Sequence, residues 1–257
     1  MGFLKNKKIL ITGISSKKSI SYGIAKCMNR EGAELAFTYQ NKKLKDRVKK
    51  IVKKFNSNII LPCDVKEDYQ IKYLFKKLSK IWKNFDGFVH SIAYASKEQL
   101  KGDYIENINR KDFLLSHEIS SYSFVSLAKE SKKMLNKNSS IITITYLGAE
   151  RVVQNYNIMG IAKASLEANT KYMANSLGSK FIRVNAISSG PIYTLASSGI
   201  KDFKKMLKKN VLKSPIKKNI TIKNIGNVAS FLISNLSSGI TGEIIHVDGG
   251  FNILAIT

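Results

Sequence analysis

The chain has 257 residues, 44% of them hydrophobic, enough to bury a large core in one α/β domain. No uninterrupted apolar run approaches the roughly 20 residues of a membrane span, which argues against membrane insertion. The formal charge of +25 comes from 43 basic against 18 acidic side chains. Only five of the basic residues are arginines (Arg30, Arg47, Arg110, Arg151 and Arg183), and the lysines are spread over nearly every helical stretch. Base readers concentrate arginine and aromatic residues on one surface, so a nucleic-acid partner is not expected. A solvated lysine-rich surface and an acidic protein partner remain as readings of the charge.

Short β-branched runs alternate with amphipathic stretches from one end to the other. "KKILITG" reads as a strand, "SISYGIAKCMNREG" as a helix and "AELAFTY" as the second strand. "NKKLKDRVKKIVKKF" is helical, "NIILPCD" a strand, "DYQIKYLFKKLSKIW" a helix and "FDGFVHSI" the fourth strand. A long helical region around 113–135 leads to "SSIITIT", followed by a helix over 155–177 and the strand "FIRVNAIS". The helix "IKNIGNVASFLIS" precedes a seventh strand, "GEIIHVDGG". Such alternation predicts a Rossmann-like, doubly wound parallel sheet of seven strands with helices on both faces. No linker or repeat interrupts it, so residues 1–257 are expected to form a single domain. Cys27 and Cys63 sit in apolar surroundings and read as reduced core residues, and the N-terminus has no signal-peptide pattern, so a cytoplasmic protein is expected. His90, His117 and His246 lack metal-ligand spacing, so no metal is expected.

In an open parallel sheet, ligands bind outside the carboxyl ends of the strands. After the first strand, Gly13 would let backbone approach a pyrophosphate, and Ser19 at the next helix could bond a phosphate oxygen. After the second strand stands Gln40, an amide that can bond an adenosine ribose, with Lys42 and Lys43 close enough to tolerate a 2′-phosphate. The choice between NADH and NADPH is therefore open on residues alone. Asp64 after the third strand can accept from an adenine amino group while Val65 packs on the ring. The segment His90–Ala93, including Ile92, would pass beneath the cofactor. Tyr156 and Lys163 are seven apart, roughly 700° of helical rotation, so a helix over 155–177 would place them on one face. A lysine ammonium beside the phenol is expected to lower its pKa from about 10. Tyr146, ending the fifth strand, would face the same cleft.

These stretches make the chain resemble the short-chain dehydrogenase/reductases and, more narrowly, the bacterial NADH-dependent enoyl-[acyl-carrier-protein] reductases. The likeness runs over essentially the full length. It includes "MGFL", "TGISSKKSISYGIA", "REGAELAFTYQN", "CDV", "FDGFVHSIA", "EISSYSFV", "YLGAERVVQNYNIMGIAKASLEAN", "RVNAISSGPI", "TLASSGIKDF" and "GEIIHVDGGF". The Tyr-x6-Lys spacing is the mark of the enoyl reductases, where most of the superfamily has Tyr-x3-Lys. The resemblance implies hydride transfer from NADH to the β-carbon of a trans-2-enoyl thioester in type II fatty acid biosynthesis, with acyl carrier protein as partner and a homotetrameric assembly. It assigns Tyr156 to the thioester oxygen, Lys163 to the nicotinamide ribose, and Tyr146 to either proton relay or pocket shape. It extends the cofactor set to Ile20, Ile192, Tyr193, Thr194, Leu195 and Ala196. It implies a substrate loop at about 192–210, with substrate contacts at Ala95, Met159, Ile200, Phe203 and Met206. Ala93 and Tyr193 depart from the glycine and the basic residue that relatives usually carry.

Overall fold

The structure, a computed structural model, describes residues 2–195, 197 and 203–255. Its centre is a seven-stranded sheet: β1 (Lys8–Ile11), β2 (Glu34–Tyr39), β3 (Ile60–Pro62), β4 (Phe85–His90), β5 (Leu135–Thr145), β6 (Arg183–Ser189) and β7 (Ile244–Val247). The order is β3-β2-β1-β4-β5-β6-β7 and every neighbouring pair is parallel, as the alternating pattern predicts.

The strands carry apolar side chains on both faces, and the period of two sends alternate residues to opposite cores. Leu10, Phe88 and Ile141 join one cluster with Leu74, Phe124 and Leu166, whereas Ile9, Ile11, Val89 and Ile142 join the other with Ile24, Val48 and Ile225. The first face is covered by α3 (Asp68–Leu78), α6 (Ser123–Ser131) and α7 (Ile158–Gly178). The second is covered by α1 (Ile20–Arg30), α2 (Lys42–Val52) and α9 (Ile222–Ile233). Local chemistry fixes several helix starts: Asn41 Oδ1 accepts from Leu44 N at 3.1 Å, and Thr221 and Asn224 form a reciprocal capping box at α9.

Two elements differ from the sequence expectation. The helical region around 113–135 consists of α5 (Arg110–His117), a π-helical turn (Glu118–Tyr122) and α6, and β5 already begins at Leu135. The helix expected from 155 begins at Ile158, because Asn155 and Asn157 adopt positive φ of 61° and 37°. Asparagine tolerates that region better than other residues with a Cβ, and two such positions keep the chain out of regular helix.

The sheet order reverses between β1 and β4. The chain leaves β1 toward α1 on one face and leaves β4 toward α5 and α6 on the other. A crevice opens between these departures at the carboxyl ends of the strands.

Candidate active site

A cavity of about 530 Å³ fills that crevice, within the range of small-molecule and cofactor sites. Its walls are the segments that follow β1 through β6, so the strand ends gather residues far apart in sequence.

At one end lie Gln40, Asp64 and Val65, with Gln40 Nε2 donating to Asp64 Oδ2 at 3.2 Å. In the middle, Gly13 has φ of +79°, and a Cβ there would stand 1.9 Å from Ser91 O. Only glycine lets the loops after β1 and β4 come this close. Ser19 is the N-cap residue of α1 but makes no side-chain cap; its hydroxyl donates to Ser16 O instead. The start of α1, with the positive end of its helix dipole, thus lies at the cavity wall, which Ser19 and Ile20 line. An amide and a carboxylate at one end, an anion-binding helix start in the middle and a lysine at the other end form a donor set that fits a dinucleotide.

The far end is aromatic and apolar. Tyr146 and Tyr156 pack edge to face with ring centroids 5.0 Å apart, and Tyr156, Met159, Leu100 and Ala162 form a small cluster of their own. Room for the Tyr156 ring comes from Gly148, where a Cβ would stand 2.4 Å from Tyr156 Cδ1. Tyr146 Oη lies 3.7 Å from Met206 Sδ on α8 (Phe203–Lys213). Arg151, between the two tyrosines, donates to Leu254 O at 2.8 Å and Asn252 O at 2.6 Å, tying this loop to the end of the chain.

Lys163 lines the same cavity and is 6% exposed, with its Nζ donating to Ile144 O at 2.7 Å. Burial lowers its pKa to about 8, against the opposing pull of Glu167. The expected lowering of the Tyr156 pKa is overturned. Burial raises it above the ordinary phenol value, and Tyr146 and Glu167 push in the same direction. Desolvation of the phenolate outweighs attraction to a lysine whose own charge is penalised by burial. Tyr156 is therefore a neutral phenol, a hydrogen-bond donor. Tyr146 is likewise pushed up to about 12 by burial. The shared helical face also needs correction, since Tyr156 precedes α7 by two residues. Its place comes from the turn through Asn155 and Asn157, with Met159 N donating to Tyr156 O at 3.0 Å.

The structure brings Gly13, Ser19, Ile20, Gln40, Asp64, Val65 and Ile92 into the cavity wall, together with Ala95, Tyr146, Tyr156, Met159 and Lys163. Ile192, Thr194, Leu195, Phe203 and Met206 complete that group. Tyr193 is not part of the wall: it is 42% exposed, with Lys18 Nζ 5.9 Å from its ring and the Phe203 ring 6.2 Å away. Ala196 and Ile200 lie outside the described residues. His90 is a core residue, hydrogen-bonded to Thr143 Oγ1 at 3.0 Å and Ser123 Oγ at 2.9 Å, and burial lowers its pKa to about 3.

Sequence reasoning missed Leu100, Ile119 and Val153, apolar wall residues whose types also suit ordinary packing. Ile119 reaches the wall from the π-helical turn, where Ser120 Oγ also accepts from Tyr94 N at 3.0 Å.

Residues 13–252 match the family model described as Enoyl-(Acyl carrier protein) reductase. The chain belongs to this family. It is 58% identical over 256 residues to the enoyl-[acyl-carrier-protein] reductase [NADH] FabI of Salmonella typhimurium and to that of Escherichia coli, covering 100% of this chain and 98% of each relative. The crystal structure of enoyl-[acyl-carrier-protein] reductase (NADH) from Aquifex aeolicus superposes with a TM-score of 0.97 at 44% identity, with both chains covered in full. The Bacillus cereus enoyl-acyl carrier protein reductase, solved with NADP+ and indole naphthyridinone, gives 0.97 at 41% identity, again over 100% of both chains. Among the described residues, no helix is long and apolar enough to cross a membrane.

Proposed function

We propose that the chain reduces the carbon–carbon double bond of trans-2-enoyl thioesters carried on acyl carrier protein, using NADH, within the elongation cycle of fatty acid biosynthesis. The observation that carries this reading is one cavity in which Tyr156, Tyr146 and Lys163 meet at one end and Gln40, Asp64 and Val65 at the other. NADH, when bound, supplies the hydride for the β-carbon. Gln40, Asp64 and Val65 would hold its adenosine, Gly13 and the start of α1 its pyrophosphate, and Lys163 its nicotinamide ribose, with Ile92, Ile192 and Thr194 around the ring.

Tyr156 acts as a neutral donor toward the thioester oxygen, where negative charge develops as the double bond is reduced. A donor fixed in the cavity wall beside the position of that oxygen would supply oxyanion-type stabilisation. Lys163 fixes the cofactor against Tyr156 and adds positive charge to the same end. Tyr146 shapes the acyl pocket by packing on the Tyr156 ring and reaching Met206. Phe203 and Met206 offer the fatty chain an apolar wall, and the substrate loop is the segment about 192–210, of which 196 and 198–202 lie outside the described residues.

In this reading residues 1–257 work as a single cytoplasmic domain that assembles into homotetramers. NADPH is the less expected donor, whose 2′-phosphate Lys42 and Lys43 could tolerate. The test is anaerobic oxidation of NADH, and separately NADPH, with crotonyl and acetoacetyl thioesters. Turnover of the crotonyl thioester, lost in Tyr156→Phe and Lys163→Met, is expected; preference for the acetoacetyl thioester would make the protein a carbonyl reductase instead.

A further inference from the structure

One buried acidic group near the cavity has no part in the chemistry above. Glu167 lies one turn after Lys163 on α7 and is 9% exposed. Side chains four apart on a helix are neighbours. Two consecutive residues at the end of β5 hold the pair: Ile144 O accepts from Lys163 Nζ at 2.7 Å, and Thr145 Oγ1 donates to Glu167 Oε1 at 2.6 Å. Lys163 and Thr145 line the cavity, and Glu167 does not. The carboxyl group therefore stands behind the wall, one helical turn from the lysine and, among the described residues, not in a direct ion pair with it.

The surrounding charges leave Glu167 as the counter-charge acting on Lys163. From β4, His90 faces the lysine, but its ring is committed to Thr143 and Ser123 and is held neutral. Tyr156, ahead of α7, is neutral as well. Glu167 in turn feels Glu150, from the loop after β5, and His246 of β7, which bond each other at 3.0 Å near the surface. Burial and Glu150 raise its pKa, while the Thr145 hydrogen bond, His246 and Lys163 oppose that rise. The hydroxyl of Thr145 donates into the carboxylate, which is the arrangement that favours the charged form.

We propose that Glu167, anchored by Thr145 behind the cavity wall, is a positioning residue that keeps Lys163 in its ammonium form. Its catalytic consequence rests on the function proposed above; its ionic consequence does not. Without this carboxylate the lysine would be a lone buried cation, which sheds its proton readily.

Competitive acetylation with acetic anhydride across about pH 6 to 10, read at Lys163 by peptide mass spectrometry, measures the ionisation without any turnover. In Glu167→Gln, which keeps size and an acceptor for Thr145, the midpoint is expected to fall by about one pH unit, giving about tenfold more labelling at neutral pH. Thr145→Val, which keeps the carboxyl and removes its donor, shifts the midpoint the same way, and Glu167→Asp restores part of the loss. With NADH and a crotonyl thioester, the alkaline limb of kcat/KM in Glu167→Gln moves down with the labelling midpoint. A residue that only packs would lower the whole profile and leave the limb in place. Labelling midpoints unmoved in both Glu167→Gln and Thr145→Val overturn the proposal, whichever of the two folds better. Absence of enoyl reduction in the unmutated protein would instead remove the functional reading, and the labelling result would stand apart from it.

Discussion

Lys163 offers a measurement of how strongly the cavity end is desolvated. Its pKa is lowered to about 8 in the folded protein from an ordinary 10.5. Below both values the lysine is protonated in either state, and folding carries the whole cost of burying the cation. Between them the unfolded chain holds a proton that the folded chain has released, so stability rises with pH across that window. The gap corresponds to about 3 kcal/mol, gained with a slope of at most about 1.4 kcal/mol per pH unit. The perturbation is Lys163→Met, which fills similar space and does not titrate. Urea unfolding of both proteins from about pH 7 to pH 10.5 removes, by subtraction, the titration of the other lysines. The stability of the unmutated protein relative to the variant is expected to climb by about 3 kcal/mol over that range. A flat difference, or one that falls with pH, would show that the ammonium is not desolvated in the folded state and would refute the reasoning.

Three further expectations follow from close contacts and charge. Gly148→Ala puts a Cβ 2.4 Å from Tyr156 Cδ1, so the ring must move; kcat/KM for a crotonyl thioester should drop by about 100-fold, and an unchanged value would mean the ring position is not critical. Gly13→Ala combines a φ of +79° with a Cβ 1.9 Å from Ser91 O. At least about 1 kcal/mol of strain is expected from backbone conformation alone, with a lower Tm and NADH affinity weakened severalfold in fluorescence titration; equal Tm and affinity would contradict the glycine argument. If the +25 charge steers an acidic carrier protein, kcat/KM for a carrier-bound enoyl substrate should fall steeply as salt rises. The neutral N-acetylcysteamine thioester should respond little, and equal salt dependence for the two would count against steering.

The sheet was legible because its chemistry is local and repeated. Each strand is a short β-branched run, and period two together with alternation with helices leaves little choice of fold. Part of the cavity wall was legible in the same way, since Gly13, Gln40, Asp64 and Val65 follow strand ends, whereas Met159, Ile192, Thr194, Phe203 and Met206 were named only through the resemblance to the enoyl reductases. What escaped the sequence depends on long-range surroundings. Tyr156 looks helical by spacing, yet Asn155 and Asn157 take positive φ and set it in a turn. Its pKa direction depends on burial, which a neighbouring lysine in sequence does not reveal. Glu167 reads as one more charged helix residue until the fold places Thr145 against it. Leu100 and Val153 have no mark of function, and only their place in the cavity wall distinguishes them from packing residues.

The π-helical turn between α5 and α6 works as a phase setter. Five residues, Glu118–Tyr122, occupy the wider turn, so α6 emerges rotated relative to a continuous α-helix by the angle of one extra residue, about 100°. That rotation aims Ser123 at His90 while Ile119 reaches the cavity and Ser120 holds the Tyr94 backbone. Deleting a single residue here would leave composition and apolar pattern almost untouched, yet it would swing all three contacts out of alignment at once. On this side the shape of the pocket is governed by a count of residues more than by their identity.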